Sequence, residues 1–208
     1  MEDEKIKEKK ELRKKYITAR EGLSEAESES VDSRIVSNIL GSGFYRDARS
    51  VFIYISVDRE VNTALLTHKA FEDGKTVFVP RTRDNRVMEA VRVEAEEFLK
   101  RARTEWPRRY NIPEPPDDIP ASEMREIDLL IAPSLLLDRF GYRLGYGGGF
   151  YDHFIKNARA QKNRLLIAAV QRSIFVSDEA LPREPYDMPV DIIVTEKGIV
   201  IPSSSRTV

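Results

Sequence analysis

The run Val51-Phe-Ile-Tyr-Ile-Ser-Val57 constrains the fold more than any other stretch of the chain. It is nearly unbroken in β-favouring residues, with no polar alternation that would turn one face to water. Such a strand is buried on both faces, as in a parallel sheet covered by helices. Thr76-Val-Phe-Val79, Ile127-Asp-Leu-Leu-Ile-Ala132, residues 164 to 170 and Val190-Asp-Ile-Ile-Val194 read as further strands, and Val87 to Val93 alternates like an edge strand. Helical segments lie between most of them, including one running from Asn62 or Thr63 to Gly74 and one over residues 149 to 160. This alternation predicts an α/β fold with a mainly parallel sheet and right-handed crossovers.

Two helices precede the first strand. Residues 3 to 21 are highly charged, with a narrow apolar stripe at Leu12, Tyr16, Ala19 and Leu23. Ser24-Glu-Ala-Glu27 has the form of a capping box that opens a second helix, carrying Val31, Ile35, Ile39 and Leu40 and ending at Gly41 and Gly43. The 208 residues suit one domain over 1–208, with N-terminal helices over 1–45 and an α/β core over 46–208.

Composition narrows the chemistry. There are 34 Lys and Arg against 35 Asp and Glu, a net charge of −1. That balance lacks the basic excess of a chain that works on nucleic acid or an anionic membrane, so an anionic ligand must be met by a local basic site. The absence of cysteine excludes disulfides, thiolate metal sites and cysteine nucleophiles, and two histidines argue against a zinc cluster. With no signal-peptide pattern and no apolar run long enough to span a bilayer, the expectation is a soluble, cytoplasmic protein acting on small molecules as a monomer or weak dimer.

Five of the ten glycines fall in Gly141-Tyr-Arg-Leu-Gly-Tyr-Gly-Gly-Gly-Phe-Tyr-Asp152, between a strand ending near Ala132 and a helix opening near Phe150. A loop from a strand's C-terminal end to a helix N-terminus is where α/β proteins bind anions. Glycines allow its backbone N–H groups to approach phosphate oxygens, and Arg143 adds a forked cation. The Gly-Lys-Ser/Thr ending of a Walker loop is missing, and Phe150 takes the last glycine position of G-x-G-x-x-G counted from Gly145. A second reading of the same loop is a turn that lets helix and strand pack closely. Asp152 lies about one turn into the helix, and Asp187 lies in the proline-stiffened Glu184-Pro-Tyr-Asp-Met-Pro-Val-Asp191. Together they could hold magnesium, which takes few protein carboxylates; singly, each could be a cap or a surface charge.

Other candidates stand further off. Glu60, just past the first strand, could accept hydrogen bonds from a ring N–H and amine, or be an ordinary loop charge. Five prolines lie between Pro107 and Pro120, which excludes helix and central strand and leaves a stiff connection or a pocket wall. Trp106 and Tyr110 beside them could stack on a flat ring or anchor the loop. The basic cluster around Lys9, Lys10 and Arg13 reads by itself as a solvated helix face.

Four segments together resemble the 5-formyltetrahydrofolate cyclo-ligase family: Lys9-x-x-Leu12-Arg13, Glu60-Val-Asn-Thr63, Asn111-Ile-Pro-Glu-Pro115, and the glycine segment to Asp152 with Asp187 beyond it. The resemblance implies a Rossmann-like three-layer α/β/α domain of the sugar-isomerase and CoA-transferase type. It implies an enzyme that uses ATP and Mg²⁺ to close 5-formyltetrahydrofolate into 5,10-methenyltetrahydrofolate by phosphorylating the formyl oxygen. By that similarity Lys9, Lys10, Arg13, Arg143, Leu144, Gly145, Tyr146, Gly147, Gly148, Gly149, Phe150 and Tyr151 would contact ATP, with Arg143 and Lys9 serving the chemistry. Glu60, Tyr110, Tyr146, Gly148 and Tyr151 would line the pterin pocket, and Asp152 and Asp187 would ligate Mg²⁺. Some relatives carry basic residues where this chain has Tyr146 and Gly148, and Phe150 replaces the first tyrosine of a Tyr-Tyr-Asp ending. The rival readings are an enzyme for another formylated pterin, such as a tetrahydromethanopterin, a nucleotide-binding module without turnover, and a sugar-phosphate isomerase of the same fold.

Overall fold

A computed structural model describes residues 2–102, 104–161 and 164–203. The chain opens with helices α1 (Glu2–Glu21), α2 (Glu25–Leu40) and the short α3 (Gly43–Asp47). Strand β1 (Ser50–Ile53) leads through α4 (Ala64–Glu72) to β2 (Thr76–Thr82), which turns back into β3 (Met88–Val93). Helix α5 (Ala95–Arg101) precedes the short strands β4 (Arg108–Arg109), β5 (Ile112–Pro113) and β6 (Ala121–Ser122). Next come β7 (Leu129–Ala132), β8 (Leu136–Asp138), β9 (Arg143–Leu144), α6 (Phe150–Ala160) and β10 (Leu166–Val170). Strands β11 (Val176–Ser177), β12 (Ile192–Thr195) and β13 (Gly198–Val200) follow.

The main sheet runs β13-β12-β10-β7-β1-β2-β3-β6, and its inner members from β12 to β2 are all parallel. Successive side chains on these strands point to opposite faces, and both faces are apolar. Val51, Ile53, Leu129 and Ile131 pack with Ile35 and Ile39 of α2 and with Leu66 and Ala70 of α4. Phe52, Leu130, Ile167 and Ala169 pack against Phe154, Ile155 and Ala158 of α6, with the rings of Phe52 and Phe154 edge to face at 5.1 Å. The result is the expected three-layer α/β/α arrangement. From β1 the chain moves one way to β2, whereas from β7 it moves the other way to β10, so the order reverses between β1 and β7. Ligands in open α/β sheets bind at the C-terminal ends of strands flanking such a reversal.

Several details depart from the sequence reading. Strand β3 is not an edge, because β6 pairs outside it through Ala90 and Ser122. Gly43 does not end a helix; Ser42 caps the N-terminus of α3 by accepting from the Tyr45 N–H at 3.2 Å. The proline-rich stretch contains the β4–β5 hairpin. The glycine loop does not follow β7 directly. Strands β8 and β9 intervene and form a second sheet, β11-β8-β9. Leu12, Tyr16 and Leu23 of α1 and its C-terminal turn pack on the Leu136, Leu144, Phe175 and Leu181 of this region, whereas Ala19 is exposed. Among the described residues, no helix is long and apolar enough to cross a membrane.

A buried ion pair ties the layers together at the C-terminal edge. Arg172, just past β10, forks onto Asp32 of α2 with Nε–Oδ1 2.8 Å and an NH2–Oδ2 distance of 2.9 Å. The same guanidinium donates to the carbonyls of Arg59 and Glu60, and Asp32 also accepts from the Asn62 N–H. Removing one member of such a pair leaves the other charge buried and unpartnered, at a cost of about 3–5 kcal/mol. Asp32→Ala is therefore expected to lower the unfolding free energy by about 3 kcal/mol in urea titrations. A loss below about 0.5 kcal/mol, the range of ordinary surface changes, would show that the pair does not hold this edge together.

Candidate functional site

Lys9, Arg13, Tyr16 and Arg20 are spaced four, three and four residues apart, so they share one face of α1. Docking of that helix on the small sheet through Leu12 and Tyr16 points the cations at the loop between β9 and α6. Arg13 Nε donates to the Gly145 carbonyl at 2.9 Å. Arg20, only 3% exposed, donates to the Tyr146 hydroxyl at 2.9 Å and to the Ser134 carbonyl at 2.5 Å. Lys9 Nζ lies 2.6 Å from Glu184 Oε2 and 2.5 Å from Asp187 Oδ2. Lys10 sits on the exposed side of the helix.

The loop uses its glycines for room. Gly147 has φ +107, and a β-carbon there would stand 3.5 Å from the Arg13 guanidinium carbon. Gly149, at φ +69, caps α6 in the left-handed conformation. Gly145, Tyr146, Gly147 and Gly148 are exposed, while Leu144 points into the core and its carbonyl accepts from the Leu135 N–H. Leu144 thus contributes packing to the loop's base. Arg143 is buried; its NH1 donates to Asp152 Oδ1 at 3.0 Å and to the Met188 carbonyl at 3.2 Å. Its NH2 is buried with no partner among the described residues. An orphaned guanidinium donor costs free energy that an anion reaching it would offset, and Arg20 Nε and Arg183 Nε are in the same state.

The two aspartates expected to hold metal meet through their neighbours. Asp152 Oδ1 also accepts from the Met188 N–H, the residue after Asp187. Asp187 Oδ2 accepts from Lys9 and from the Glu184 N–H. Each carboxylate keeps its second oxygen outside these contacts. Among the described residues no three His, Cys, Asp or Glu side chains gather into a cage. Two hard carboxylates with an oxygen each to spare fit magnesium, which fills most positions with water and phosphate oxygens. Burial by itself would raise the Glu184 carboxyl, but hydrogen bonds from Lys9 and Tyr186 and the charges of Lys9 and Arg13 hold it below the usual range.

Glu60 stands across from the loop, in a cleft of about 460 Å³ lined by Ile55, Val57, Glu60, Arg108, Asn111 and Pro113. Burial pushes its carboxyl up to about 7, against the lowering pull of the Val57 N–H and of Arg20. Its negative charge also reaches Tyr54, Tyr146 and Tyr151, whose hydroxyls are all raised, chiefly by burial. Tyr151 is therefore beside both Glu60 and Arg143, whose guanidinium lies 5.8 Å from its ring. Tyr110 is 67% exposed at the tip of the proline-rich hairpin, its ring 6.0 Å from that of Phe150. Trp106 is buried against Phe98 with its N–H on Glu97, so it anchors the loop and is closed to a ligand.

The structure thus gathers Lys9, Arg13, Arg143, Gly145 to Tyr151, Asp152 and Asp187 around one loop, and the charge of Glu60 reaches Tyr146 and Tyr151 within it. Sequence reasoning missed Arg20, Asp32 and Arg172. The spacing of Arg20 from Arg13 was a usable signal, since seven residues return to the same helix face. For Arg172 the only sign was a polar Gln171-Arg172 pair directly after a buried strand.

The model of the 5-formyltetrahydrofolate cyclo-ligase family matches residues 5–196. The 5-formyltetrahydrofolate cyclo-ligase of Mycolicibacterium smegmatis is 32% identical over 161 residues, spanning 76% of this chain and 80% of that one. A probable 5-formyltetrahydrofolate cyclo-ligase of Caenorhabditis elegans is 32% identical over 153 residues, 72% of this chain and 73% of its own length. The NMR structure of 5,10-methenyltetrahydrofolate synthetase from Aquifex aeolicus aligns with a TM-score of 0.77 at 27% identity, covering 96% of this chain and 95% of that one. The match runs from the α1 cations through the glycine loop to the last core strand, and the chain belongs to the 5-formyltetrahydrofolate cyclo-ligase family.

Proposed function

We propose that this chain couples ATP hydrolysis to the closure of 5-formyltetrahydrofolate into 5,10-methenyltetrahydrofolate. The observation that carries this reading is Arg143 at the base of the glycine loop, with an unpartnered NH2 and with Tyr151 beside both it and Glu60. A phosphate chain on the loop and a flat heterocycle against Glu60 would bring their reacting ends to that guanidinium.

The chemistry needs no covalent nucleophile from the protein. A formyl oxygen is a poor leaving group, so the ring does not close by simple loss of water. Attack of that oxygen on the γ-phosphorus converts it into a phosphate ester, the neighbouring secondary amine adds to the activated carbon, and phosphate departs. The protein's part is alignment and charge neutralisation. Arg143 would face the transferring group, Arg13 and the N–H groups of Gly147 to Gly149 the remaining phosphates. Lys9 would trade Asp187 for a phosphate oxygen. Magnesium on Asp152 and Asp187 would screen phosphate charge when bound. Ionised Glu60 would accept from the pterin N–H and amine, with Tyr146 and Tyr151 along the ring.

Mixing the protein with ATP, magnesium and 5-formyltetrahydrofolate should raise the near-ultraviolet absorbance of the methenyl product in step with ADP release; neither signal appearing would refute the reading. Arg143→Lys keeps the charge but loses the fork, and is expected to lower kcat about 10²-fold in protein that still unfolds cooperatively. A variant with parental kcat would remove Arg143 from the transfer step. Because free Glu60 is neutral below about 7 and must ionise to accept both hydrogen bonds, kcat/KM for the pterin should fall about tenfold per pH unit below that point. Glu60→Gln should bind weakly and lack that acid limb, and persistence of the limb in the variant would assign it to another group.

A further inference from the structure

The β2–β3 connection is strained at its tip. Asn85 and Arg86 have φ of +57 and +62, two successive left-handed residues that close a tight turn through the Val87 N–H on the Asp84 carbonyl. In such turns the second position ordinarily falls to glycine, because side chains are disfavoured there. The turn is held from both sides: Arg83 bonds Glu89 and Asp117, and Arg109 bonds Asp84. The side chain at the strained position is long and cationic, and it leads to the glycine loop. Arg86 Cδ and NH1 lie 3.6 and 3.8 Å from where a β-carbon on Gly149 would stand. Arg86 therefore covers the loop at Gly149 much as Arg13 covers it at Gly147.

Charge at the loop explains what such a residue is for. Lys9 is paired with Glu184 and Asp187, and Arg143 with Asp152. Arg86 is exposed and, among the described residues, engages no carboxylate. Its positive charge reaches the Tyr186 hydroxyl, which sits beside the Lys9 cluster. A residue kept in a sparsely populated conformation, with its charge uncommitted over an anion site, fits strain retained for binding.

We propose that Arg86 is a phosphate ligand for the nucleotide, meeting the glycine loop at Gly149 as Arg13 meets it at Gly147. This rests on the reading of the loop as the ATP site. Arg86→Gly separates binding from packing, because glycine relaxes the turn while deleting the guanidinium. The variant is expected to raise the thermal midpoint by about 2–4 °C and to weaken MgATP binding about tenfold by titration calorimetry. Its KM for 5-formyltetrahydrofolate should match the parent's, and Arg86→Lys should recover part of the ATP affinity. Unchanged MgATP affinity in Arg86→Gly, with a parent that binds and turns over ATP, overturns this assignment and leaves the proposed activity standing. A shift in the pterin KM instead of the ATP affinity also overturns it. A parent that binds no MgATP removes both.

Discussion

A cation withdrawn from water must find its partners inside the protein, and at the C-terminal edge of this sheet that requirement decides where the loops go. Arg172 can be buried because α2 supplies Asp32, and the pair then gathers the carbonyls of Arg59 and Glu60. Arg143 can be buried because α6 supplies Asp152, which in turn takes the Met188 N–H. Lys9 is buried because Glu184 and Asp187 meet it. The Arg172 and Lys9 pairs join chain segments far apart in sequence, and the Arg143–Asp152 pair reaches the distant Met188 through its backbone, so the helices and loops around the edge are positioned relative to one another by desolvated charge. Such pairs need add little net stability, since replacing a whole pair by apolar groups is often neutral. Their contribution here is placement.

The placement has a consequence for ligand entry. α1 is too polar to be held by its apolar stripe alone, and its few buried contacts are to the small β11-β8-β9 sheet. Its cations complete the docking by bonding the glycine loop and the segment that carries Asp187. The groups that attach the helix are thus the groups expected to meet phosphate. On the proposed reading, ligand binding would exchange one set of charge partners for another of similar strength, which would limit the net cost of assembling the site. On the same reading, Lys9 leaving Asp187 would free its second oxygen as well for a metal ion.

Much of the architecture was legible because it rests on strong local patterns. Val51 to Val57 and Ile127 to Ala132 have no polar face, so only a doubly covered sheet could hold them, and Gly141 to Asp152 concentrates half the glycines where strand gives way to helix. The small sheet was not legible, since strands of two or three residues carry no periodicity to read. The burial of Leu144 was not legible for the same reason: within a loop motif its apolar character gives no sign that the backbone briefly joins a strand. The outer partner of β3 was hidden behind prolines that mark the whole region as loop. Arg86 stood in an unremarkable surface turn, and its interest depends on a backbone angle and a distant glycine that only the folded chain brings together.

The central claim is that the formyl oxygen itself is phosphorylated at the junction of the Arg143 loop and the Glu60 cleft. Oxygen-18 placed in the formyl group of 5-formyltetrahydrofolate follows that atom directly, with the released inorganic phosphate analysed by mass spectrometry after turnover with unlabelled ATP. The account predicts one labelled oxygen in each phosphate released. Unlabelled phosphate, with the isotope recovered in water, would contradict it.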